Sequence, residues 1–364
     1  MKFVFASYIS ANNYTDPAAW LERIKAYTGV LEAVAANHEV ISIEQINYEG
    51  DEVKNGVNYR FKKFNKRRYF PLKLNLFISR QKPDVVFIHS LHFPLQVMLL
   101  RLVLGRKPKI IIQNHAEKPF KGIKKRLLLL SESAVNAYLF ASRAMGLEWI
   151  AKGNLTSQKK IHEVMELSSF FHPIPKATAR AKTGITEANP FLWVGRLDQN
   201  KDPLTVIKAF LKFAAATPSA CLYMLYHTEE LLPEIQQLLS TAPNAAAIKL
   251  IGKVPNDELL YWHNSVDFIV AGSHYEGSGT AVCEAMSCGC IPIVTDIFSF
   301  RMMTDNGNIG LLYEAGNEGE LLSALQQTNS LNISAEKEKA LAYFNSTLSF
   351  EAIAGRIGAI AASC

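Results

Sequence analysis

No apolar run in this 364-residue chain reaches the length of a membrane span. The longest candidate, after Leu91, is broken by Arg101, Arg106 and Lys107 before it nears the ~20 residues a bilayer helix needs. Cysteine is absent from the first 220 residues, and the five present, Cys221, Cys283, Cys288, Cys290 and Cys364, make an odd number. No signal-like segment precedes the first apolar run, so the expectation is reduced thiols in a cytoplasmic compartment and no disulfides. Cys288-Gly289-Cys290 lacks the two-residue spacer usual in zinc sites and has no second Cys/His pair nearby. Packing, not metal binding, is the role expected of it. Glycine and proline are too few for a fibrous or low-complexity chain, and 49% hydrophobic against 20% charged residues excludes disorder.

What is present is enough chain for two hydrophobic cores. The net charge of +6 suits an anionic ligand or surface. Two basic clusters stand in the first half: Lys62, Lys63, Lys66, Arg67 and Arg68 among Phe61, Phe64, Tyr69 and Phe70, then Lys118, Lys121, Lys124, Lys125 and Arg126 ahead of Leu127 to Leu130. Both suit lipid headgroups, and both equally suit solvated faces of core helices. Neither belongs to a nucleic-acid recognition motif, so no nucleic-acid partner is expected.

Apolar runs alternate with helical patterns throughout. Lys2 to Ser7 reads as a strand, Ala18 to Ala36 as a helix, Val40 to Ile43 as a strand, Leu72 to Arg80 as a helix and Pro83 to Ile88 as a buried strand. A helix over Leu95 to Leu104 and a strand over Lys109 to Gln113 follow, and a second series of the same kind begins at Pro190-Phe-Leu-Trp-Val194. The reading is α/β, with two doubly wound units. The domains expected are residues 1–171, a Pro-, Ala- and Thr-rich linker 172–188, residues 189–345, and a C-terminal helix over 346–364. In such folds ligands gather beyond the carboxyl ends of the strands, so the loops there are where chemistry is sought.

Two loops stand out. Trp193-Val-Gly195-Arg196-Leu-Asp-Gln-Asn-Lys201-Asp202-Pro203 leaves a strand, turns on Gly195 and enters a helix, with Asp202 as N-cap and Pro203 at its first position. Arg196 and Lys201 beside a helix N-terminus suit a diphosphate. Ala271-Gly-Ser-His-Tyr-Glu276-Gly277-Ser278-Gly279-Thr280-Ala-Val-Cys-Glu284 ends another strand in a glycine-rich turn and opens another helix. Gly277 and Gly279 allow close approach of a ligand, Ser278 and Thr280 suit helix capping or anion contacts, and Glu276 and Glu284 suit hydroxyl groups at two points of an extended ligand.

Gly195-Arg196-Leu197, Lys201, Glu276, Glu284 and Gly289-Cys-Ile-Pro292 occur in the order and spacing of the retaining GT-B glycosyltransferases, the group 1 or family 4-like transferases, which this chain resembles from about residue 190 to 320. The resemblance implies two Rossmann-like domains facing a cleft, an N-terminal one for the acceptor and a C-terminal one for a nucleotide diphosphate sugar. It implies that Arg196 and Lys201 contact the diphosphate, Glu276 the transferred sugar and Glu284 the ribose. Gly195 and the backbone from Gly277 to Thr280 approach the donor, and Val254 in Gly252-Lys253-Val254 lies near the nucleobase. By the same resemblance His115, after Gln113-Asn114, faces the donor sugar. His89 and His92 are read as structural or acceptor-lining.

The reaction so implied is transfer of a hexose-type sugar, with retention, to a saccharide or lipid-linked acceptor, in the making of cell-surface polysaccharide or glycolipid. No cofactor is expected, since the nucleotide sugar is a co-substrate. The chain has no Asp-x-Asp motif, so the basic pair is expected to do the work of a metal ion. Peripheral contact with the inner face of the cell membrane is consistent with the basic clusters. The rival readings are a nucleotide-sugar-binding protein and a GT-B-type epimerase or phosphorylase without transferase activity.

Overall fold

A computed structural model describes residues 1–64 and 71–364. Lys66, Arg67, Arg68, Tyr69 and Phe70 of the first basic cluster lie outside the described residues. The chain divides into two compact units, residues 1–168 with 350–364, and residues 169–349.

The strands of the first unit are β1 Lys2–Ser7, β2 Glu39–Glu44, β3 Gly50–Lys54, β4 Val57–Phe61, β5 Val85–His89, β6 Lys109–Gln113, β7 Ala137–Phe140 and β8 Ile161–Glu163. They form one sheet in the order β3-β4-β2-β1-β5-β6-β7-β8, in which β3 alone runs antiparallel to its neighbour. Phe3, Val4 and Phe5 of β1 and Val85, Val86 and Ile88 of β5 are almost wholly buried. Such two-sided burial is why these strands read as continuous apolar runs and not as alternating ones. The chain leaves β1 toward β2 on one side and later returns to β5 on the other, so a switch point lies where Ser7 stands opposite His89.

The expected helix over Ala18 to Ala36 is two helices, Pro17–Arg23 and Lys25–Ala35. Asp16 caps the first, accepting from the amides of Ala18 and Ala19, and the backbone leaves helical geometry at Ile24. The C-terminal helix Phe350–Ser363 completes this unit. It buries Ile353, Ala354, Ile357 and Ala361, and the Ala361 carbonyl accepts from Lys109 Nζ at 2.5 Å.

The second unit holds β9 Asn189–Gly195, β10 Ala220–Tyr226, β11 Ile248–Gly252, β12 Phe268–Ala271, β13 Ile291–Thr295 and β14 Leu311–Tyr313, all parallel, in the order β11-β10-β9-β12-β13-β14. Phe191 and Trp193 of β9 enter one core cluster with Phe210 and Phe213 of the helix Pro203–Ala216, while Leu192 enters the opposite cluster with Leu225 and Trp262. Successive side chains alternate faces, so one strand anchors both layers. The switch point of this sheet lies between β9 and β12.

The stretch 172–188 is not a linker. It belongs to the second unit and contains the helix Lys176–Thr183, closed by Gly184 in the left-handed region. Lys176 Nζ donates to Asp267 Oδ2 at 2.6 Å, Arg180 Nε to the Ser265 carbonyl at 3.1 Å, and Ala179 is buried. Polar composition suggested a linker there, but a short helix held by side-chain bonds needs only one apolar contact. Cys221, Cys283, Cys288 and Cys290 are buried free thiols, with burial pushing Cys288 up to about 12.

Candidate active site

At the switch point of the second sheet the two loops singled out in the sequence meet. The β9 loop runs from Gly195 to Asp202, whose backbone is left-handed and whose carboxylate accepts from Thr205 N–H at 3.3 Å, with Pro203 at the first helical position. The β12 loop lies directly on it. A Cβ on Gly272 would stand 3.0 Å from the Lys201 carbonyl oxygen and 3.1 Å from that of Asp202, closer than most side chains come to backbone. Asn200 Nδ2 donates to the Tyr275 carbonyl at 3.0 Å, and the Asn200 carbonyl accepts from His274 N–H at 2.8 Å.

These bonds bring Lys201 against Glu276. The ammonium and the carboxylate form an ion pair with the side chains only 20% and 13% exposed, a depth at which charge interactions are little screened. The Lys201 amide is fixed by Asp198, whose Oδ1 accepts from it at 2.9 Å. Asp198 also holds Arg196, at 3.1 Å, but the Arg196 side chain is half exposed. The two basic residues therefore differ: Lys201 is locked into the loop junction and Arg196 is tethered at its edge.

Gly277 and Ser278 are buried, and Gly279, with φ of 55°, is the N-cap of the helix Thr280–Ser287. Neither Ser278 nor Thr280 caps that helix: no side chain does, and Thr280 is its first residue, exposed to solvent. The left-handed turn at Gly279 leaves no side chain in the capping position, so first-turn amides stay open to an anion. A Cβ there would meet Phe300 at 2.6 Å. Glu284, one turn into the helix, stands 3.9 Å from Nε2 of the fully buried His263. Val254, just past the end of β11, packs on the same apolar cluster as Val194, which precedes Gly195.

In the first unit the ends of β1, β2, β5 and β6 surround a cavity of about 470 Å³. His115, the catalytic candidate there, lies on it together with His89 and His92. Its Nδ1 pairs with the carboxylate of Glu166, and Glu117 Oε2 accepts from its backbone amide at 2.6 Å. His115 Nε2 lies 2.9 Å from His89 Nδ1, and His89 Nε2 lies 2.7 Å from the Tyr27 oxygen. Burial lowers the His115 pKa, but the bond and charge of Glu166, with the charge of Glu117, outweigh it and the net shift is upward. His89 goes the other way: burial first, then the charge of His115, holds it well below the usual value. When His115 is protonated and His89 neutral, these distances let His115 donate through Nε2 to His89 Nδ1 and His89 donate through Nε2 to the Tyr27 oxygen.

Glu166 had no motif to announce it, because its partner is 51 residues away in sequence. Its replacement gives a direct check. In Glu166→Gln the His115 imidazole is expected to titrate at lower pH than in the wild type, read from the ring proton shifts by NMR. Because the folded pKa is raised, the pair stabilises the fold below the ordinary histidine pKa. That contribution is lost as pH rises through the raised value, and the variant should lack the loss. Identical titration in both proteins would remove Glu166 from this role.

Residues 175–343 match the family described as glycosyl transferases group 1. A D-inositol 3-phosphate glycosyltransferase of Thermobispora bispora is 24% identical over 259 residues, 69% of this chain and 58% of that protein. The chain thus spans little more than half the length of that relative. A GDP-mannose:cellobiosyl-diphosphopolyprenol alpha-mannosyltransferase of Xanthomonas oryzae pv. oryzae is 22% identical over 331 residues, 89% of this chain and 77% of the other. Among solved structures, Anabaena HepE in complex with UDP superposes with a TM-score of 0.73 over 100% of both chains at 13% identity. Sucrose-phosphate synthase from Thermosynechococcus elongatus gives 0.68 over 99% of this chain and 97% of that one, at 12% identity. The loops that carry Lys201, Glu276 and Glu284 all fall within the matched segment, so residues 175–343 are similar to the group 1 glycosyl transferases, and the chain has the GT-B fold of two Rossmann-like units.

Proposed function

We propose that this chain is a retaining, metal-independent glycosyltransferase, moving a hexose-type sugar from a nucleotide diphosphate sugar to a saccharide or lipid-linked acceptor in cell-surface polysaccharide or glycolipid biosynthesis. The observation that carries the reading is the Lys201–Glu276 pair at the switch point, beside a helix whose first turn has no side-chain cap. Lys201 and Arg196 offer positive charge to a leaving diphosphate, and the open amides at Thr280 add to it. When the ammonium turns to phosphate, the Glu276 carboxylate is released to accept hydrogen bonds from sugar hydroxyls. Glu284 does the same for the ribose, with Val254 and its apolar surroundings against the base. Fixed cationic side chains at the diphosphate remove the need for a divalent metal. No residue of the second unit is placed as a general base, which favours front-face attack with a donor phosphate oxygen taking the acceptor proton, and hence retention.

Peripheral membrane contact is part of the proposal. The helix Gly122–Ser131 presents Ile123, 76% exposed, and Leu130 to solvent beside Lys125 and Arg126. Apolar side chains among basic ones suit an anionic lipid surface.

One experiment addresses donor, metal and activity together. Thermal unfolding is followed with UDP, GDP, ADP and their sugar conjugates, with and without EDTA, since a ligand that binds only the folded state raises Tm. The expected outcome is stabilisation by one nucleotide family, unchanged by EDTA. Candidate relatives named for GDP-mannose and structures holding UDP put both bases in the panel. No stabilisation by any diphosphate at millimolar concentration would remove the donor site. Binding without sugar transfer to any acceptor would favour the nucleotide-sugar-binding reading, and donor breakdown or isomerisation without acceptor would favour the phosphorylase or epimerase. A protein that fails to sediment with vesicles containing anionic lipid at low salt does not use the exposed helix face for a membrane.

A further inference from the structure

The cavity of the first unit is built for one kind of ligand. Its polar lining includes Glu44, Gln45, His89, His115, Glu117 and Tyr27, its apolar lining includes Phe5, Ile9, Trp20 and Ile24, and among the described residues no lysine or arginine lines it. Lys124, which bonds the lining His92, is not itself a lining residue and stands over the Phe120 ring at 4.1 Å. At about 470 Å³ the space lies within the range of small-molecule sites.

Glu44 is the group without an assigned task. It ends β2, is 8% exposed, and accepts at Oε1 from the Ser42 hydroxyl at 2.6 Å and at Oε2 from Trp20 Nε1 at 2.9 Å. Burial raises the Glu44 pKa, against the lowering effect of the bonds from Ser42 and Trp20. When ionised, the carboxylate offers roughly four acceptor sites, two of them beyond these bonds, and a ligand's hydroxyl donors at those sites would favour that form. The other lining carboxylate, Glu117, is already taken by backbone: it accepts from the amides of Leu91 at 3.2 Å and His115 at 2.6 Å, and from Asn114 Nδ2 at 2.8 Å. His115, where protonated, already has the Glu166 carboxylate as its partner.

Resting on the reading that the first unit holds the acceptor, we propose that this cavity takes a neutral, hydroxyl-rich ring. Glu44 accepts its hydroxyl hydrogen bonds, Trp20 covers its apolar face, and phosphorylated rings are turned away. A carboxylate with free acceptor sites matches hydroxyl donors and repels phosphate, and an indole packs against the C–H faces of a saturated ring. The same wall that welcomes a sugar or cyclitol offers a phosphate no lysine or arginine among the described residues.

The test is saturation-transfer NMR on the full chain without nucleotide, using methyl α-glucoside, methyl α-mannoside and myo-inositol against glucose 6-phosphate and inositol 1-phosphate. The wild type is expected to bind at least one neutral ring at least tenfold more tightly than either phosphate ester. Glu44→Gln, nearly the same shape, should weaken that binding at least fivefold. Should Glu44→Gln not fold, Ile9→Lys serves instead, because Ile9 is 54% exposed and lines the cavity, so a cation can be placed there without disturbing the core. It should raise affinity for the phosphate esters at least fivefold. Equal or tighter binding of a phosphate ester by the wild type overturns the proposal, as does the absence of binding by every neutral ring or unchanged affinity in the variant that folds. Because no nucleotide is present, failure here is separate from failure of the donor site, which the nucleotide panel reads alone.

Discussion

Lys201→Ala is expected to lower kcat/KM by about 10²- to 10³-fold and to erase the rise in Tm produced by the nucleotide diphosphate. The magnitude follows from removing one preorganised positive group from a site where negative charge develops, about 3–4 kcal/mol of transition-state stabilisation. Two further consequences separate this from general damage. The substitution leaves the Glu276 carboxylate, 13% exposed, without its cation, so the ligand-free protein should lose about 1–2 kcal/mol of stability. In a unit of this size that is a fall of roughly 2–8 °C. Lys201→Arg keeps the charge and should recover that stability, yet only part of the rate, because a planar fork cannot occupy the place of a compact ammonium. Arg196→Ala should cost less in stability, since that side chain is half exposed and pairs with Asp198 at the loop edge. Turnover of Lys201→Ala within tenfold of wild type would leave the ion pair structural.

Gly272→Val is expected to be more damaging to the fold. Its Cβ would stand 2.9 Å from Val206 Cγ2, 3.0 Å from the Lys201 carbonyl and 3.1 Å from the Asp202 carbonyl. A side-chain methyl can move a few tenths of an ångström, but the two carbonyls belong to a loop held by Asp198 and by the helix cap at Asp202. Overpacking at such a contact costs about 1–3 kcal/mol, and here the strain must also part the two loops. Lys201 then no longer meets Glu276. Nucleotide binding should disappear at temperatures where circular dichroism still reports folded protein. Gly355→Ala provides the contrast, because that glycine lies in a helix with nothing within 4 Å of its added Cβ. It should be neutral or stabilising by up to about 1 kcal/mol. Full nucleotide binding by Gly272→Val would mean that the loops do not depend on their close approach.

The residues that were legible in the sequence share a physical reason. Buried parallel strands such as Val85–His89 and Ile291–Thr295 are apolar on both faces, and turns such as the one at Gly195 precede helices that carry their own start signals at Asp202 and Pro203. Both loops of the second unit were therefore visible as strand-to-helix turns. The hairpin of β3 and β4 was missed although Asn55-Gly56, both with positive φ, is a strong turn signal. Exposed β3 reads Gly-Asp-Glu-Val-Lys and shows no apolar alternation. Capping by Ser278 or Thr280 was a reasonable reading of residue type, but the backbone at Gly279 decides otherwise. Glu166 and Glu44 were invisible for a different reason. Each acts through partners brought near only by the sheet: His115 lies 51 residues from Glu166, and Trp20 lies 24 from Glu44.

The helix Phe350–Ser363 gives synthesis and folding different orders. A ribosome that has released residue 349 has delivered every residue of the second unit, while the first, begun earlier, still lacks the segment that buries Ile353, Ile357 and Ala361. The half of the molecule translated first is thus the half completed last. Until residues 350–364 emerge, the nascent protein holds an open apolar seam along Lys25–Ala35. A chain stalled or nicked before residue 350 would expose that seam to chaperones and proteases while leaving the second unit whole.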